Sequence, residues 1–370
     1  MKLKEIAVKG FKSISNHDYE RIAFNDVTVL LGANGSGKSN LISLFRLLGF
    51  MTTGALQQYV GRQGVSQLLF YGPKVTESLS FSVKLEDDST TDSYDVKLSY
   101  GLPDRLFVSG EQVSYHKAGH TKPQEYFLSS GGPEAELGQD DLSTSKVLTG
   151  LLRGIQAFQF HDTSDTARIK DRVYVDDVSY LRSDGGNLAA FLKMLKESDS
   201  YRPYYERIVR HIRKIMPQFN DFVLDTLPGN DRFVRLNWSD TYRQDYLFGP
   251  DQISDGSLRF MALTTLLLQP PALLPKVIVL DEPELGLHPA ATLELAGMIK
   301  RASQKTQVVL ATQSTRLVDE FLPEQIVIVE RDSKTGASSF HRLEPEALGE
   351  WLQRYSLSEL WEKNVLGGQP

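Results

Sequence analysis

The clearest pattern along this chain is an apolar run that ends in a glycine-rich turn and continues into a helix. The run DVTVLL (26–31) is almost uninterrupted in its apolar character, which is typical of a strand buried on both faces. Beyond the turn, NLISLFRLL (40–48) repeats its apolar residues at the spacing of an amphipathic helix. The pattern therefore predicts a strand, a tight turn and a helix in succession.

The same buried-strand pattern returns twice in the last third of the chain. KVIVLD (276–281) and QVVLATQS (307–314) each place a run of apolar residues directly before polar ones. Ahead of them, MALTTLLLQP (261–270) predicts a buried helix that stops at a proline pair. Strands that alternate with helices favour an α/β architecture.

The middle of the chain follows other periods. Polar and apolar residues alternate from about 75 to 115, which predicts antiparallel strands, and 129–145 has the composition of a mobile loop. Residues 186–217 predict two helices, and strands return at FVRLNW (233–238). No run of three heptads is present, so we expect no coiled coil.

The glycine-rich turn, GANGSGKS (32–39), carries the first candidate chemistry. Glycines here let the backbone direct its N–H groups around phosphate oxygens, and the next helix directs its positive end at the same point. Lys38 can reach the β- and γ-phosphates of ATP, while the Ser39 hydroxyl can bind Mg²⁺. The predicted nucleotide-binding residues are Gly32, Asn34, Gly35, Ser36, Gly37, Lys38, Ser39 and Asn40.

A second half of this site is predicted at the end of the KVIVLD strand. A carboxylate at a strand tip beside a phosphate loop is where a magnesium ligand belongs, so Asp281 is assigned to Mg²⁺. Glu282, one residue further, can polarise the water that attacks the γ-phosphate. We expect Lys38, Asp281 and Glu282 to converge on one triphosphate.

Between these motifs, ISDGSLRF (253–260) resembles the signature of ABC-class ATPases, which is usually LSGGQ. In that class the signature of one subunit closes over the γ-phosphate held by the other, which implies that Ser254 and Gly256 contact ATP in trans. Asp255 departs from the pattern by replacing the first glycine. The resemblance also places Gln313 where the class has a switch histidine, and an amide can donate a hydrogen bond but cannot titrate near neutral pH.

The opening residues 1–41 and DEPELGLHP (281–289) are similar to the RecF, SMC and OLD-type branch of this class, as is Asn40 after Ser39. The tail, residues 351–368, is similar to short bacterial AAA-family ATPases of this branch, many associated with a separately encoded partner and some with anti-phage defence. The resemblance implies an α/β P-loop NTPase fold, an ABC ATPase head with an antiparallel β lobe and a helical insertion.

These signals divide the chain into regions. The ATPase core is assigned to 1–74 and 250–335, an antiparallel β lobe with a mobile loop to 75–160, a mainly helical insertion with the signature lobe to 161–249, and a C-terminal extension packed on the core to 336–370. Beyond the QVVLATQS strand we expect no room for the TOPRIM domain of OLD nucleases, and so no nuclease activity.

Composition narrows the class of protein. The chain has no cysteine, which removes disulfides and thiolate catalysis, and the N-terminus lacks a signal-peptide core. Its longest apolar stretch is broken by prolines, so we expect a cytoplasmic protein without a membrane span. The net charge of −6 provides no global attraction to nucleic acid.

The predicted function is an ATP-hydrolysing switch. A homodimer, or a larger assembly, sandwiches two ATP molecules and controls an effector or nuclease protein or a DNA transaction, in anti-phage defence or DNA repair. One alternative is the ATP subunit of a membrane transporter, disfavoured by Asn40, by Gln313 and by the long insertion. A second is a nucleotide-binding scaffold with little turnover.

Some residues carry weaker signals. Within a basic segment, Arg210 and Arg213 could contact DNA phosphates, although a solvated helix is the more usual explanation. His161 and Asp162 lack metal-ligand spacing and are assigned a structural role. The glutamine that ABC ATPases carry in their Q-loop stays open among Gln57, Gln58, Gln63, Gln67 and Gln112. The aromatic and apolar residues of the tail are expected to dock on the core; they are Trp351, Tyr355, Leu357, Leu360 and Trp361.

Overall fold

The structure is a computed structural model that describes residues 1–227, 229–243, 245–349 and 351–369. The chain forms two compact units. The first unit comprises Met1–Ala157, Lys276–Val279 and Val309–Pro370, and the second comprises Phe158–Pro275 and Leu280–Val308. Among the described residues, no helix combines the length and the apolar character needed to cross a membrane.

Strands and helices are numbered in their order along the chain. The strands are β1 (Lys2–Lys9), β2 (Glu20–Ala23), β3 (Val27–Leu31), β4 (Ser78–Glu86), β5 (Thr90–Gly101), β6 (Arg105–Lys117), β7 (Gln124–Ser129), β8 (Ile155–Phe158), β9 (Val173–Tyr174), β10 (Phe219–Val223), β11 (Thr226–Leu227), β12 (Asn230–Val234), β13 (Asn237–Asp240), β14 (Leu247–Phe248), β15 (Val277–Asp281), β16 (Gln307–Thr312), β17 (Ile326–Arg331) and β18 (Ser338–Arg342). The helices are α1 (Lys38–Thr52), α2 (Leu56–Gln63), α3 (Val65–Leu68), α4 (Ser143–Arg153), α5 (Leu188–Glu197), α6 (Arg202–Ile215), α7 (Asp255–Leu268), α8 (Pro289–Ala302), α9 (Thr315–Val318), α10 (Pro345–Leu348), α11 (Trp351–Arg354) and α12 (Leu357–Glu362).

The sheet that carries the glycine-rich turn lies largely in the first unit, and its strand order is β18–β17–β3–β16–β15–β8. β3 and β17 pair in parallel, with Leu30 opposite Val327, and every residue of β3 is buried. Helix α1 follows the turn and buries Leu41, Leu44 and Leu48 in the core of this unit. The predicted strand, turn and helix are therefore confirmed, and with them the α/β fold class.

A second sheet of the first unit is antiparallel and has the order β2–β1–β4–β5–β6–β7. It confirms the predicted antiparallel strands and also takes in β1 and β2, which the sequence-based division had placed with the ATPase core. The buried carboxylate of Glu111 on β6 accepts hydrogen bonds from the Tyr94 hydroxyl (2.8 Å) and from the backbone N–H groups of Glu136 (2.8 Å) and Leu137 (3.0 Å). These bonds tie part of the segment predicted as a mobile loop to the sheet.

The second unit is built from α5 to α8 and two small antiparallel sheets, β10–β13–β14 and β11–β12–β9. Helices α5 and α6 match the two helices predicted over 186–217. Helix α7 buries side chains on most of its circumference, including Leu258, Met261 and Leu266, which explains its lack of an amphipathic period. The insertion carries more strands than the mainly helical region that we predicted.

Asp92 on β5 provides a test of the antiparallel sheet. Its side chain is buried, and its Oδ1 atom has no hydrogen-bond partner among the described residues. Burial first, and then the nearby Asp87 carboxylate, raise the pKa of Asp92 to about 6. A raised carboxyl pKa means that the fold prefers the protonated form, so its stability is lost as the pH rises from the unfolded-state pKa through the folded-state pKa.

We therefore expect Asp92→Asn to raise the free energy of unfolding by about 1–3 kcal/mol at pH 8 and to have much less effect at pH 4. Urea titrations at both pH values measure this, with Asp95→Asn on the opposite face of β5 as the matched control. Equal effects of Asp92→Asn at the two pH values would contradict the assignment.

Candidate functional site

The glycine-rich turn has a backbone that suits phosphate binding. Gly35 and Gly37 adopt φ angles of +78° and +116°, a region that glycine enters without steric cost. Helix α1 begins directly afterwards at Lys38, so its free N–H groups and positive end lie at the turn. The conformation of the turn is therefore compatible with phosphate binding, and that the turn binds a nucleotide stays a prediction.

Lys38 is buried against the same turn. Its Nζ atom donates hydrogen bonds to the carbonyl oxygens of Gly32 (2.6 Å) and Ala33 (2.9 Å). Ser39, the predicted magnesium ligand, is exposed at the first turn of α1. A cation and a hydroxyl thus accompany the turn, which is the donor set that a triphosphate with Mg²⁺ requires.

A chain of hydrogen bonds holds the turn from behind. The Asn40 amide donates to Ser13 Oγ (2.6 Å), Ser13 Oγ lies 2.6 Å from Ser338 Oγ, and Ser338 Oγ donates to the Ser36 carbonyl oxygen (2.5 Å). A Cβ atom on Gly37 would clash with the Ser338 side chain, so this contact also requires glycine. Asn40 therefore anchors the turn to Ser13, which lies in the segment GFKSI (10–14) near the N-terminus.

Gln313 lies at the nucleotide turn. It follows β16, the neighbour of β3 in the sheet, and its Nε2 atom donates to Asn34 Oδ1 at 2.7 Å. The sequence-based position of Gln313 beside the turn agrees with this contact. Its catalytic role stays a prediction.

In the second unit, Asp281 ends β15 and has two polar neighbours that sequence analysis did not assign to it. The Gln159 amide donates to Asp281 Oδ2 (3.0 Å), and His161 Nε2 donates to the Asp281 carbonyl oxygen (2.9 Å). His161 thus has the structural role that we predicted. Gln159 is not among the five candidates for the Q-loop glutamine, and one of those, Gln57, instead donates to the Leu106 and Pro133 carbonyls.

A signal for Gln159 was present in the sequence. It follows the short apolar strand β8, in the way that Asp281 ends β15 and Gln313 follows β16. β8 escaped notice because it has only four residues, Ile155–Phe158, and three of them are incompletely buried. Asp281 was identified as a polar residue at the tip of a strand, and the same criterion would have identified Gln159.

Glu282, the predicted general base, occupies a strained position. Its φ angle of +44° lies in the left-handed region, which non-glycine residues adopt at a cost of about 1–3 kcal/mol. Its carbonyl oxygen accepts from the Leu285 N–H at 3.1 Å, which closes a turn directly after the strand. Strain of this kind is concentrated at functional sites, so the observation supports Glu282 without assigning its role.

The signature-like segment forms the start of α7. Ser254 is the N-cap, and its Oγ atom accepts from the Ser257 N–H at 3.3 Å, as predicted. Asp255 is exposed in the first turn. A Cβ atom on Gly256 would clash with the Gly286 carbonyl oxygen, so glycine is required by a contact within the chain itself. Contact of Ser254 and Gly256 with ATP in trans stays a prediction.

Arg259, one turn further along α7, joins this segment to the strand tip. Its guanidinium donates to the carbonyl oxygens of Leu285 (2.9 Å) and His161 (2.8 Å). Because His161 itself bonds to Asp281, the second unit holds Asp281, the turn after Glu282 and the signature helix in one hydrogen-bonded group. That this group and Lys38 serve one nucleotide stays a prediction.

The remaining candidate residues have structural surroundings. Among the cations of the basic segment, His211 and Lys214 contact Glu294, while Arg213 donates to the Asn220 carbonyl. These contacts favour the structural explanation of the segment. In the tail, Leu357, Leu360 and Trp361 are buried as predicted, whereas Trp351 is about half exposed, at 48%.

A known protein family and several solved structures match this chain. The family described as "AAA domain, putative AbiEii toxin, Type IV TA system" matches residues 27–124 and 160–319, which include the nucleotide turn, Asp281 and Gln313. No curated protein matches the chain.

Two solved structures share the fold at 17% identity. One is an SMC head bound to the C-winged helix domain of ScpA, with a TM-score of 0.57, covering 94% of this chain and 99% of that one. The other is an SMC head with an extended coiled coil, bound to the C-terminal domain of ScpA and derived from Pyrococcus furiosus. Its TM-score is 0.54, and it covers 95% of this chain and 98% of that one. These likenesses show that the chain shares the fold of SMC heads.

The contact between Gln159 and Asp281 yields a prediction. Outer partners of a metal ligand typically change metal affinity or activity by about 10- to 100-fold when removed, so we expect Gln159→Ala to raise the Mg²⁺ concentration required for half-maximal ATP hydrolysis by about tenfold or more. Gln156→Ala, on the same short segment, is the matched control. Identical Mg²⁺ dependence of both variants and wild type would remove Gln159 from the site.

Proposed function

We propose that this chain, which belongs to the AAA-domain family matched over both halves of its site, is an ATP-binding and ATP-hydrolysing switch that closes into a dimer around nucleotide. The observation that carries the proposal is the nucleotide turn, where two left-handed glycines, a helix N-terminus and the Lys38 ammonium meet, with Gln313 bonded to the same turn.

Each residue has a task that follows from its chemistry. The amides of the turn and Lys38 neutralise and orient the phosphates of ATP. Ser39 and Asp281 would hold a magnesium ion, which would supply positive charge beside the phosphates. Glu282 accepts a hydrogen bond from the attacking water, and Gln313 orients the same water or the γ-phosphate through its amide.

The exposed start of α7 supports the proposed dimerisation. Ser254 and Asp255 are exposed, so this helix N-terminus is available to a phosphate on another molecule. We propose that Ser254 and Gly256 of one subunit close over ATP held by the partner subunit. ATP then stabilises only the closed arrangement, and hydrolysis releases it.

The output is proposed to be a separately encoded protein, in a defence or toxin–antitoxin setting. The family description names a putative toxin of a type IV TA system, and the two SMC heads of similar fold are each bound to a domain of ScpA. DNA is a second candidate partner. It rests on Arg210, an exposed cation on α6 that borders a cavity of about 340 Å³ together with Arg202 and Arg213.

Two substitutions test the proposed chemistry. Lys38→Ala should lose ATP binding, because the turn then lacks its cation. Glu282→Gln should bind ATP with nearly unchanged affinity, lose hydrolysis by a factor of about 100 or more, and accumulate as a closed dimer. Calorimetric titration, phosphate release and light scattering measure the three properties. Hydrolysis by Glu282→Gln at the wild-type rate would refute the assignment of the base.

The trans contact needs a separate test. In the Glu282→Gln background, Ser254→Arg should abolish the ATP-dependent dimer and leave ATP binding to the monomer intact, because the bulky cation blocks the helix N-terminus. Ser303→Arg, on the C-terminal end of α8, is the control and should still dimerise. A dimer that forms equally well with Ser254→Arg would exclude the sandwich geometry. If the wild-type protein binds ATP but hydrolyses it negligibly with every partner, the scaffold alternative is favoured.

A further inference from the structure

The C-terminal tail contacts the nucleotide turn through its backbone. The Gly368 carbonyl oxygen accepts a hydrogen bond from the Ala33 N–H at 2.9 Å, and the Gly368 N–H donates to Glu330 Oε1 at 2.6 Å. Gly368 is buried, and the Gln369 amide donates to the Trp361 carbonyl oxygen at 3.0 Å. The tail is therefore bonded on one side to β17 and on the other to the turn.

Both glycines of the tail have a left-handed backbone. Gly367 and Gly368 have φ angles of +78° and +77°. A Cβ atom on Gly367 would meet only the flexible end of the Glu330 side chain, whereas one on Gly368 would lie 2.9 Å from the Ile328 side chain, which would have to shift. The backbone at both positions and the contact at Gly368 therefore favour glycine here.

The tail and Lys38 hold opposite edges of one peptide group. The bond between Gly32 and Ala33 presents its carbonyl oxygen to Lys38 Nζ, at 2.6 Å, and its N–H to Gly368. Because a peptide group is planar, rotation about its axis moves the oxygen and the N–H together. Loss of the bond to Gly368 would therefore free the group that positions the Lys38 ammonium.

The same extension also reaches the Gln313 segment. Helix α12 precedes the tail, and at its start the Ser358 N–H and hydroxyl donate to the Asp319 carboxylate at 2.8 and 2.6 Å. Asp319 directly follows α9, which begins two residues after Gln313. One C-terminal segment is thus bonded both to the nucleotide turn, through Ala33, and to the segment that follows Gln313, through Asp319.

We propose that residues 357–369 form a positioning clasp that fixes the nucleotide turn and the Gln313 segment relative to each other, and that this clasp sets the affinity for ATP. The proposal rests on the proposed function in that ATP is the ligand of the turn. These are positioning residues, since they act through the peptide group of Ala33 and through α9.

The first test uses Glu330, the acceptor that anchors the tail. Glu330→Ala removes the bond to the Gly368 N–H, whereas Glu330→Gln keeps an oxygen acceptor at the same place. We expect Glu330→Ala to weaken ATP binding by about three- to tenfold, which corresponds to the loss of one hydrogen bond, and Glu330→Gln to restore most of it. Calorimetric titration with ATP gives affinity and active fraction separately, so a misfolded fraction lowers stoichiometry and leaves the dissociation constant unchanged.

The second test uses the glycine and needs no nucleotide. Gly368→Ala should expel the tail, and hydrogen exchange in a peptide covering residues 32–37 should become about tenfold faster or more, since the Ala33 N–H loses its acceptor. Gly119→Ala is the matched control, because Gly119 has a similar φ angle of +87° with open space around it. Unchanged exchange in Gly368→Ala would overturn the proposal.

The two experiments, ATP titration and hydrogen exchange, distinguish failure of the clasp from failure of the proposed function. If wild-type protein does not bind ATP, the proposed function fails while the exchange measurement still tests the clasp. If wild-type protein binds ATP and both Glu330→Ala and Gly368→Ala bind it equally well, the clasp is wrong and the proposed function is unaffected.

Discussion

The first unit depends on one constraint, which is that the backbone of residues 32–37 must keep the conformation of the glycine-rich turn. Left-handed glycines permit this conformation but do not impose it. The contacts that hold the turn in this conformation come from the last part of the chain. Gln313, Ser338 and Gly368 each form a hydrogen bond with a residue of the turn. A loop encoded near the N-terminus is thus shaped by residues that are remote from it along the chain.

The second unit applies the same principle to a strand tip. Arg259 and His161 donate their hydrogen bonds to backbone carbonyls, so they fix the course of the chain around Asp281 and leave the carboxylate to Gln159. The strained Glu282 is tolerated because its neighbours hold the turn on both sides. These partly buried hydrogen bonds fix the geometry of the strand tip.

Local sequence patterns were sufficient to predict the strands, helices and motifs of the candidate site. They were insufficient to predict the tertiary contacts that hold those elements in place. The strand before residue 32, the helix after it and the capping role of Ser254 follow from period and residue type, and the structure has them. Gln159 was missed because β8 is short and partly exposed, although the polar residue after its end was visible. The contact of Asn40 with Ser13 and the contact of Gly368 with Ala33 join residues that are far apart in the sequence, so no short stretch of sequence predicts them.

The resemblance to ABC-class ATPases places Gln313 where that class has a switch histidine, and this has a consequence for control of the site. An imidazole next to a phosphate changes charge near neutral pH, whereas an amide keeps its donors and its acceptor at every pH. The Gln313 amide donates to Asn34 Oδ1, so Gln313 joins the turn to β16 as a neutral link. Control of such a site then depends on where its segments lie. The C-terminal extension contacts both segments, since it bonds to Asp319 directly after α9 and to Ala33 in the turn.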